Sequence, residues 1–124
     1  MTTSSPFVQL VDDHVVVRLD GEVDLMVRSS LTDTVDFAIS LLEVPHLLLD
    51  VSRVTFMDST GVDTLAAALN EVNARGGTIS VAGATARIVR LLRITHLDGL
   101  VTLLPETEPE ARFAVGVEVA VRVA

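Results

Sequence analysis

The sequence predicts an α/β fold, in which helices pack on a mixed β-sheet of about four to five strands. Short β-rich segments alternate along the chain with segments of helical periodicity, as expected for helices that cover a sheet. The run LLLDV at 47–51 is nearly all apolar, which is typical of a strand covered on both faces. With 124 residues, 49% of them hydrophobic, the chain is long enough for one domain with its own core.

The first two strands are expected to form a hairpin. Residues 7–11 and 14–20 are short and rich in valine and leucine, and the Asp-Asp pair between them is suited to a turn. From Asp24 onward, apolar side chains recur at three- and four-residue spacing, which predicts an amphipathic helix over 24–44. Asp24 is a suitable N-cap for this helix, and Pro45 marks its end.

The second half of the chain repeats the alternation of helix and strand. A helix is predicted over 59–75, and the Gly-Gly pair that follows it ends the helical pattern. The segment TISVAG at 78–83 is a predicted strand, a short helix is predicted near 88–95, and residues 100–104 form a predicted edge strand.

The C-terminal segment is compatible with two structures. Every second residue from Val115 to Val123 is valine, an alternation typical of a strand. Phe113, Val117 and Ala120 also fall on one face of a helix, so periodicity leaves both structures open.

The composition excludes several classes of function. The net charge is −8, which argues against nucleic-acid and membrane partners because both need clustered basic residues. The chain has no cysteine, and its nine basic residues are all arginine, which removes thiolate chemistry and every mechanism that uses a lysine amine. The N-terminal MTTSSPF does not resemble a signal peptide, and no apolar run reaches membrane-spanning length. We therefore expect a cytoplasmic protein.

The tetrapeptide Asp58-Ser59-Thr60-Gly61 lies where a buried strand should pass into a helix. In a purely structural interpretation, Asp58 or Ser59 caps the helix by accepting hydrogen bonds from its first N–H groups. Gly61 would then allow another part of the backbone to come close. The residues alone leave this interpretation open beside a functional one.

Catalytic and metal-binding alternatives have little support in the sequence. A serine nucleophile needs a histidine base, but His14, His46 and His96 are far from the tetrapeptide along the chain. The cluster Asp12-Asp13-His14 lacks a helical histidine pair or a cysteine, so a solvated turn is favoured over a metal site. We expect no catalytic residue, no metal and no cofactor.

A response-regulator receiver is another phosphorylated domain of this length. The segment FVQLVDDH looks like its first strand and acidic pair, and Asp50 would then be the phosphoacceptor. However, HVVVRLDG continues as a strand where the receiver has a helix, and the chain lacks the lysine that the receiver uses. The receiver is therefore the less favoured alternative.

Four segments together resemble the STAS domain family, the fold of bacterial anti-sigma-factor antagonists. They are the Gly-Glu-Val-Asp segment within 19–24, the phosphorylation motif within 56–61, Gly76-Gly77, and Leu97-Asp98-Gly99-Leu100. The resemblance covers about residues 7–110 of a single domain spanning 1–124. It implies a C-terminal helix that packs against the sheet, so a helix is expected over 107–124.

The resemblance implies a binding switch rather than an enzyme. The unphosphorylated protein would bind an anti-sigma factor that is also a serine kinase, which would release the sigma factor. The kinase would phosphorylate Ser59, and a serine phosphatase of the metal-dependent type would reverse the modification. The alternative is a STAS interaction or small-ligand-binding module that is not phosphorylated. Since Asp24 and Ser59 each begin a helix after a strand, we expect the partner to bind at Glu22, Asp24, Asp58, Ser59, Thr60, Gly61 and part of helix 59–75.

Overall fold

The protein forms one six-stranded sheet with three α-helices among the residues described. A computed structural model describes residues 7–104 and the backbone of 117–119. The strands are β1 (Phe7–Val11), β2 (His14–Val23), β3 (His46–Met57), β4 (Thr78–Ala82), β5 (Thr102–Leu104) and β6 (Val117–Val119). The helices are a 3₁₀ turn at Leu25–Val27, then α1 (Arg28–Ser40), α2 (Ser59–Ala74) and α3 (Ala86–Ile94).

The strand order confirms the predicted mixed α/β sheet. The strands are arranged β5-β4-β3-β2-β1-β6. Strands β2 to β5 are parallel to their neighbours, whereas β1 is antiparallel to both β2 and β6. Parallel neighbours need crossover connections, and α1, α2 and α3 are these connections. The sheet has one strand more than the largest number predicted.

The first hairpin lies where the sequence predicts it. Val11 pairs with His14, and Asp12 in the turn has φ of 54°, a left-handed conformation that aspartate tolerates better than most residues. Strand β3 is longer than the predicted 47–51, because it continues in parallel pairing with β2 as far as Met57. The sequence pattern did not predict its second half, because residues 52–57 are not a continuous apolar run and only Val54 among them is buried.

The apolar core lies between the sheet and the helices. Val17, Leu49 and Val81 are buried and adjacent across three parallel strands. The predicted helical stripes cover them, with Leu31 of α1 and Leu69 of α2 nearly inaccessible to solvent. Burial of a leucine side chain contributes about 1.5–3 kcal/mol, so this layer is the main source of stability for the fold.

The C-terminal prediction of a helix is wrong for residues 117–119. These residues form β6, with Val119 opposite Val8 and Val117 opposite Leu10. β1 would otherwise present an unpaired edge, and alternating β-branched residues favour strand pairing there. The other residues of the predicted helix over 107–124 lie outside the described residues.

Candidate functional site

The tetrapeptide and Asp24 lie together at the carboxyl end of two parallel strands. Val23 of β2 is paired with Met57 of β3, and the Asp58 N–H donates to the Val23 carbonyl at 3.2 Å. Each strand therefore ends beside the other, and each is followed immediately by a helical segment. The carboxyl ends of parallel strands are the usual position of binding sites in open α/β sheets.

Two aspartates shape this end of the sheet by capping helices. Asp24 Oδ1 accepts from the Met26 N–H at 3.0 Å, and Asp58 Oδ1 accepts from the Thr60 N–H at 2.8 Å. Asp24 is thus the expected N-cap, although it caps the 3₁₀ turn that leads into α1. Asp58 caps α2, so the structural interpretation of Asp58 is correct. Capping still leaves both carboxylates partly exposed.

Ser59 is the first residue of α2 and its side chain is exposed. Within the described part of the chain, its hydroxyl makes no hydrogen bond, since the capping contact uses Asp58. Thr60, the next hydroxyl, is only 5% exposed. The two neighbouring hydroxyls therefore differ completely in their access to a partner.

The sequence suggested that Gly61 allows another backbone segment to come close. In the structure, Gly61 is instead buried against the side chain of Met57. A Cβ atom at Gly61 would lie 2.6 Å from Met57 Cγ and 2.8 Å from Met57 Sδ. The missing side chain therefore makes room for Met57 beneath the start of α2. Of the residues expected to contact a partner, Glu22 and Ser59 are exposed, whereas Thr60 and Gly61 lie beneath the surface.

Sequence reasoning missed three exposed apolar side chains at this end of the sheet. Leu25, Met26 and Phe56 are exposed, Met26 at 89% and Phe56 at 44%. Phe56 pairs in register with Glu22 on β2, so both side chains project from the same side of the sheet. The sequence did contain a sign that Leu25 and Met26 are exposed, because both follow an N-cap directly and lie outside the apolar stripe of α1. We define the Ser59 surface as these three residues with Glu22, Asp24, Asp58 and Ser59.

His14 and His46 do not supply a base to Ser59. His14 and His46 begin β2 and β3 with ring centroids 5.6 Å apart, so they lie at the opposite end of strands whose carboxyl ends carry Ser59. Across residues 7–104, no group of three or more metal-ligating side chains is found. Among the described helices, none combines the length and apolar character that a membrane span needs.

The position of Asp50 contradicts the receiver alternative. Asp50 is 2% exposed, and its carboxylate accepts from the Ser52 N–H at 3.0 Å and the Ser52 hydroxyl at 2.7 Å. Its second oxygen lies 3.4 Å from Arg18 Nε. A receiver phosphoacceptor must be open at the end of a strand, but Asp50 is enclosed within the parallel pairing of β3.

Comparisons with known proteins agree with this geometry. The family model described as STAS domain matches residues 5–111. An anti-sigma F factor antagonist from Paenibacillus polymyxa is 28% identical over 84% of this chain and 86% of its own length.

Solved structures share the fold. A crystal structure of an anti-sigma factor antagonist from Mycobacterium paratuberculosis has a TM-score of 0.76 at 24% identity, covering 89% of this chain and 92% of its own. The anti-sigma factor antagonist SpoIIAA in its unphosphorylated form has a TM-score of 0.68 at 23% identity, covering 86% and 94%. A family match over nearly the whole described region, on a sheet of the same architecture, establishes that the chain belongs to the STAS domain family.

Proposed function

We propose that the protein is an anti-sigma-factor antagonist controlled by phosphorylation of Ser59. In this proposal the unmodified protein binds an anti-sigma factor with serine-kinase activity and thereby releases a sigma factor. The names of the antagonists to which the chain is similar support the class of partner. The observation that carries the choice of residue is the exposed hydroxyl of Ser59 at the start of α2, beside the buried Thr60.

In this proposal the site supplies only the hydroxyl that accepts the phosphate. The hydroxyl comes from Ser59, whereas the kinase would supply ATP, metal and the catalytic base, since phosphoryl transfer depends on these groups. A serine phosphatase of the metal-dependent type would remove the phosphate. Residues of the Ser59 surface would contact the kinase while it acts. Glu22 and Asp24 would speed association if the binding surface of the kinase has an arginine-rich rim.

The fold tolerates a phosphate at this position. The modification adds a charge of about −1.5 to −2 at neutral pH. Ser59 lies at the N-terminus of a 16-residue helix, whose dipole offsets about 0.3–1 kcal/mol of the cost of an anion there. The side chain is exposed, so the phosphate remains hydrated and displaces no core residue. Phosphorylation should therefore leave the stability of the free protein nearly unchanged.

The complex would not tolerate the same phosphate. A kinase places a catalytic carboxylate against the hydroxyl that it phosphorylates, so the product phosphate faces a like charge. At about 4 Å and an effective dielectric constant of 20, this repulsion is roughly 4 kcal/mol per unit charge. Even half of that weakens binding by more than about tenfold. Repulsion at the interface thus exceeds the stabilisation from the helix dipole, and the switch acts on binding rather than on folding.

The test is the affinity of three variants for the anti-sigma factors of the same genome, measured by titration calorimetry beside a melting curve for each protein. Ser59→Ala should bind like the wild type and accept no phosphate. Ser59→Glu should melt like the wild type and bind at least about tenfold more weakly. Thr60→Ala should still be phosphorylated at Ser59.

Two results would contradict the proposal. One is equal affinity of the phosphorylated and unmodified proteins, and the other is a phosphate that maps to Thr60. A protein that binds an anti-sigma factor but takes no phosphate from it would instead be an interaction module without a switch.

A further inference from the structure

Helix α3 presents a basic face in an acidic protein. Arg87, Arg90 and Arg93 recur at three-residue spacing and are all exposed. The segment 83–97 contains no aspartate or glutamate, although the chain has 17 acidic residues. No described carboxylate forms an ion pair with these arginines, whereas Arg18 pairs with Asp50 and Arg75 pairs with Glu71. Within residues 7–104, the exposed face of α3 therefore carries three positive charges that no carboxylate pairs with.

A groove separates α3 from the end of β3. Its volume is about 230 Å³. Phe56 and Met57 line one side, and Ile88 and Leu91 line the other, with the Arg87 side chain among the lining groups. The groove is thus an apolar trough with a cation at its margin, large enough for a single side chain and smaller than the usual sites for small molecules.

The groove is continuous with the Ser59 surface. Phe56 belongs to both, and it pairs with Glu22 on β2. Met57 lines the groove and directly precedes Asp58, the cap of α2. Across the carboxyl end of the sheet, the surface therefore changes from acidic residues, through exposed apolar residues, to the arginines of α3.

We propose that the partner recognised at the Ser59 surface also covers this groove and ends on α3, where it presents an acidic segment with one apolar side chain. The apolar side chain fills the groove beside Phe56, and the carboxylates face Arg87, Arg90 and Arg93. This proposal rests on the proposed function and specifies the chemistry of the partner. A protein segment is favoured over a nucleic acid, because a polyanion lying along α3 would meet the carboxylates of the Ser59 surface and a net charge of −8.

Opposite charges at the two ends of the surface have a further consequence. A partner docked in the reverse direction would place its acidic segment against Glu22 and Asp24 and its basic rim against the arginines of α3. Like charges brought together in this way disfavour the wrong arrangement. The groove and α3 would therefore fix the direction in which the kinase approaches Ser59.

The experiment uses the purified anti-sigma factor that binds the unmodified protein, with affinities measured by calorimetry at two salt concentrations. Arg87→Glu and Arg90→Glu should each weaken binding by about threefold to tenfold, and less at high salt. The matched control is Arg75→Glu, which changes the net charge equally but lies after α2, where Arg75 pairs with Glu71. It should change affinity less than about twofold. Phe56→Ser should weaken binding more than Phe37→Ser, which removes a similarly exposed phenylalanine from α1.

The failures of the two proposals are distinguishable. If the unmodified protein binds no anti-sigma factor, the proposed function is wrong and this inference falls with it. If the unmodified protein binds an anti-sigma factor, but Arg87→Glu and Arg90→Glu bind it as tightly as Arg75→Glu does, only the role proposed for α3 is wrong. The role proposed for α3 is also wrong if the wild-type protein binds a DNA or RNA duplex, and Arg87→Glu and Arg90→Glu abolish that binding without weakening the complex with the anti-sigma factor. Melting curves of all variants verify that the fold is retained.

Discussion

At the residue scale, the four adjacent residues of the tetrapeptide at 58–61 have four different environments. Asp58 accepts the N–H of Thr60, while Ser59 projects from the helix start. Thr60 points inward, and its carbonyl accepts from the hydroxyl of a residue one turn later in α2. Gly61 leaves room for Met57. The motif therefore combines one exposed hydroxyl with three residues that hold it in place.

We expect Gly61→Ala to lower stability by about 1 kcal/mol. Alanine is better than glycine in a helix by about 0.8–1.0 kcal/mol, but overpacking against Met57 costs about 1–3 kcal/mol. The new Cβ would lie within 3 Å of two Met57 atoms, so the clash should dominate. The free energy of unfolding in urea measures the effect.

The control for this prediction is the same substitution in a Met57→Ala background. With the Met57 side chain removed, only the gain in helix propensity remains, and Gly61→Ala should become neutral or stabilising. If the effect of Gly61→Ala is the same in both backgrounds, Met57 is not the reason for glycine at this position.

At the element scale, α2 is held in register with the sheet by the cap at its first turn. Strand β3 ends at Met57, Asp58 bonds to the carbonyl of Val23, and α2 begins at Ser59. No residue separates the end of the strand from the cap, so the position of Ser59 is fixed by main-chain pairing. At the other end of α2, Gly76 adopts φ of 75° and the Gly77 N–H donates to the Val72 carbonyl at 2.9 Å.

Loss of the cap should destabilise the protein without a large change in structure. Asp58→Ala removes the acceptor of the 2.8 Å bond from Thr60 and should cost about 0.5–2 kcal/mol in chemical unfolding. Asp58→Asn is the matched control, because it removes the same charge but keeps a side-chain oxygen that caps nearly as well. Equal losses for alanine and asparagine would mean that the charge of Asp58, and not its hydrogen bond, stabilises α2.

At the scale of the whole molecule, the candidate binding surface lies at one end of the sheet, whereas the pairing that protects β1 lies at one edge. The carboxyl ends of β2 and β3 carry the Ser59 surface, and the groove beside α3 adjoins it. At one edge, β6 pairs with β1 through three residue pairs, although more than 90 residues separate the two strands in sequence. Such a distant pairing gives β1 a neighbour on both sides and protects it from pairing with other molecules.

Removal of residues 117–124 should expose β1 locally. In hydrogen exchange, the amides of Val8 and Leu10 that face β6 should exchange at least about tenfold faster after truncation, because their partners are lost. Amides of β4, at the other side of the sheet, serve as the internal control and should change little. Equal acceleration in β1 and β4 would indicate global destabilisation and not the loss of one edge strand.

The sequence by itself determined most of the elements and placed Ser59 at the start of a helix. Periodicity located the hairpin, the three helices and the central strands, since these patterns reflect local burial. Asp24 was recognisable as a cap because an N-cap needs only its own side chain and the next two residues, whereas at α2 the sequence left Asp58 and Ser59 as alternatives.

The tertiary structure decided which of these local features meet. Glu22 is paired with Phe56, Met57 fills the space left by Gly61, and Arg87 lies across a groove from β3. Each contact depends on strand register or helix packing between segments distant in sequence, which periodicity does not encode. The C-terminal valines show the same limit: their alternation was compatible with β6, but only the open edge of β1 determined where that strand would pair.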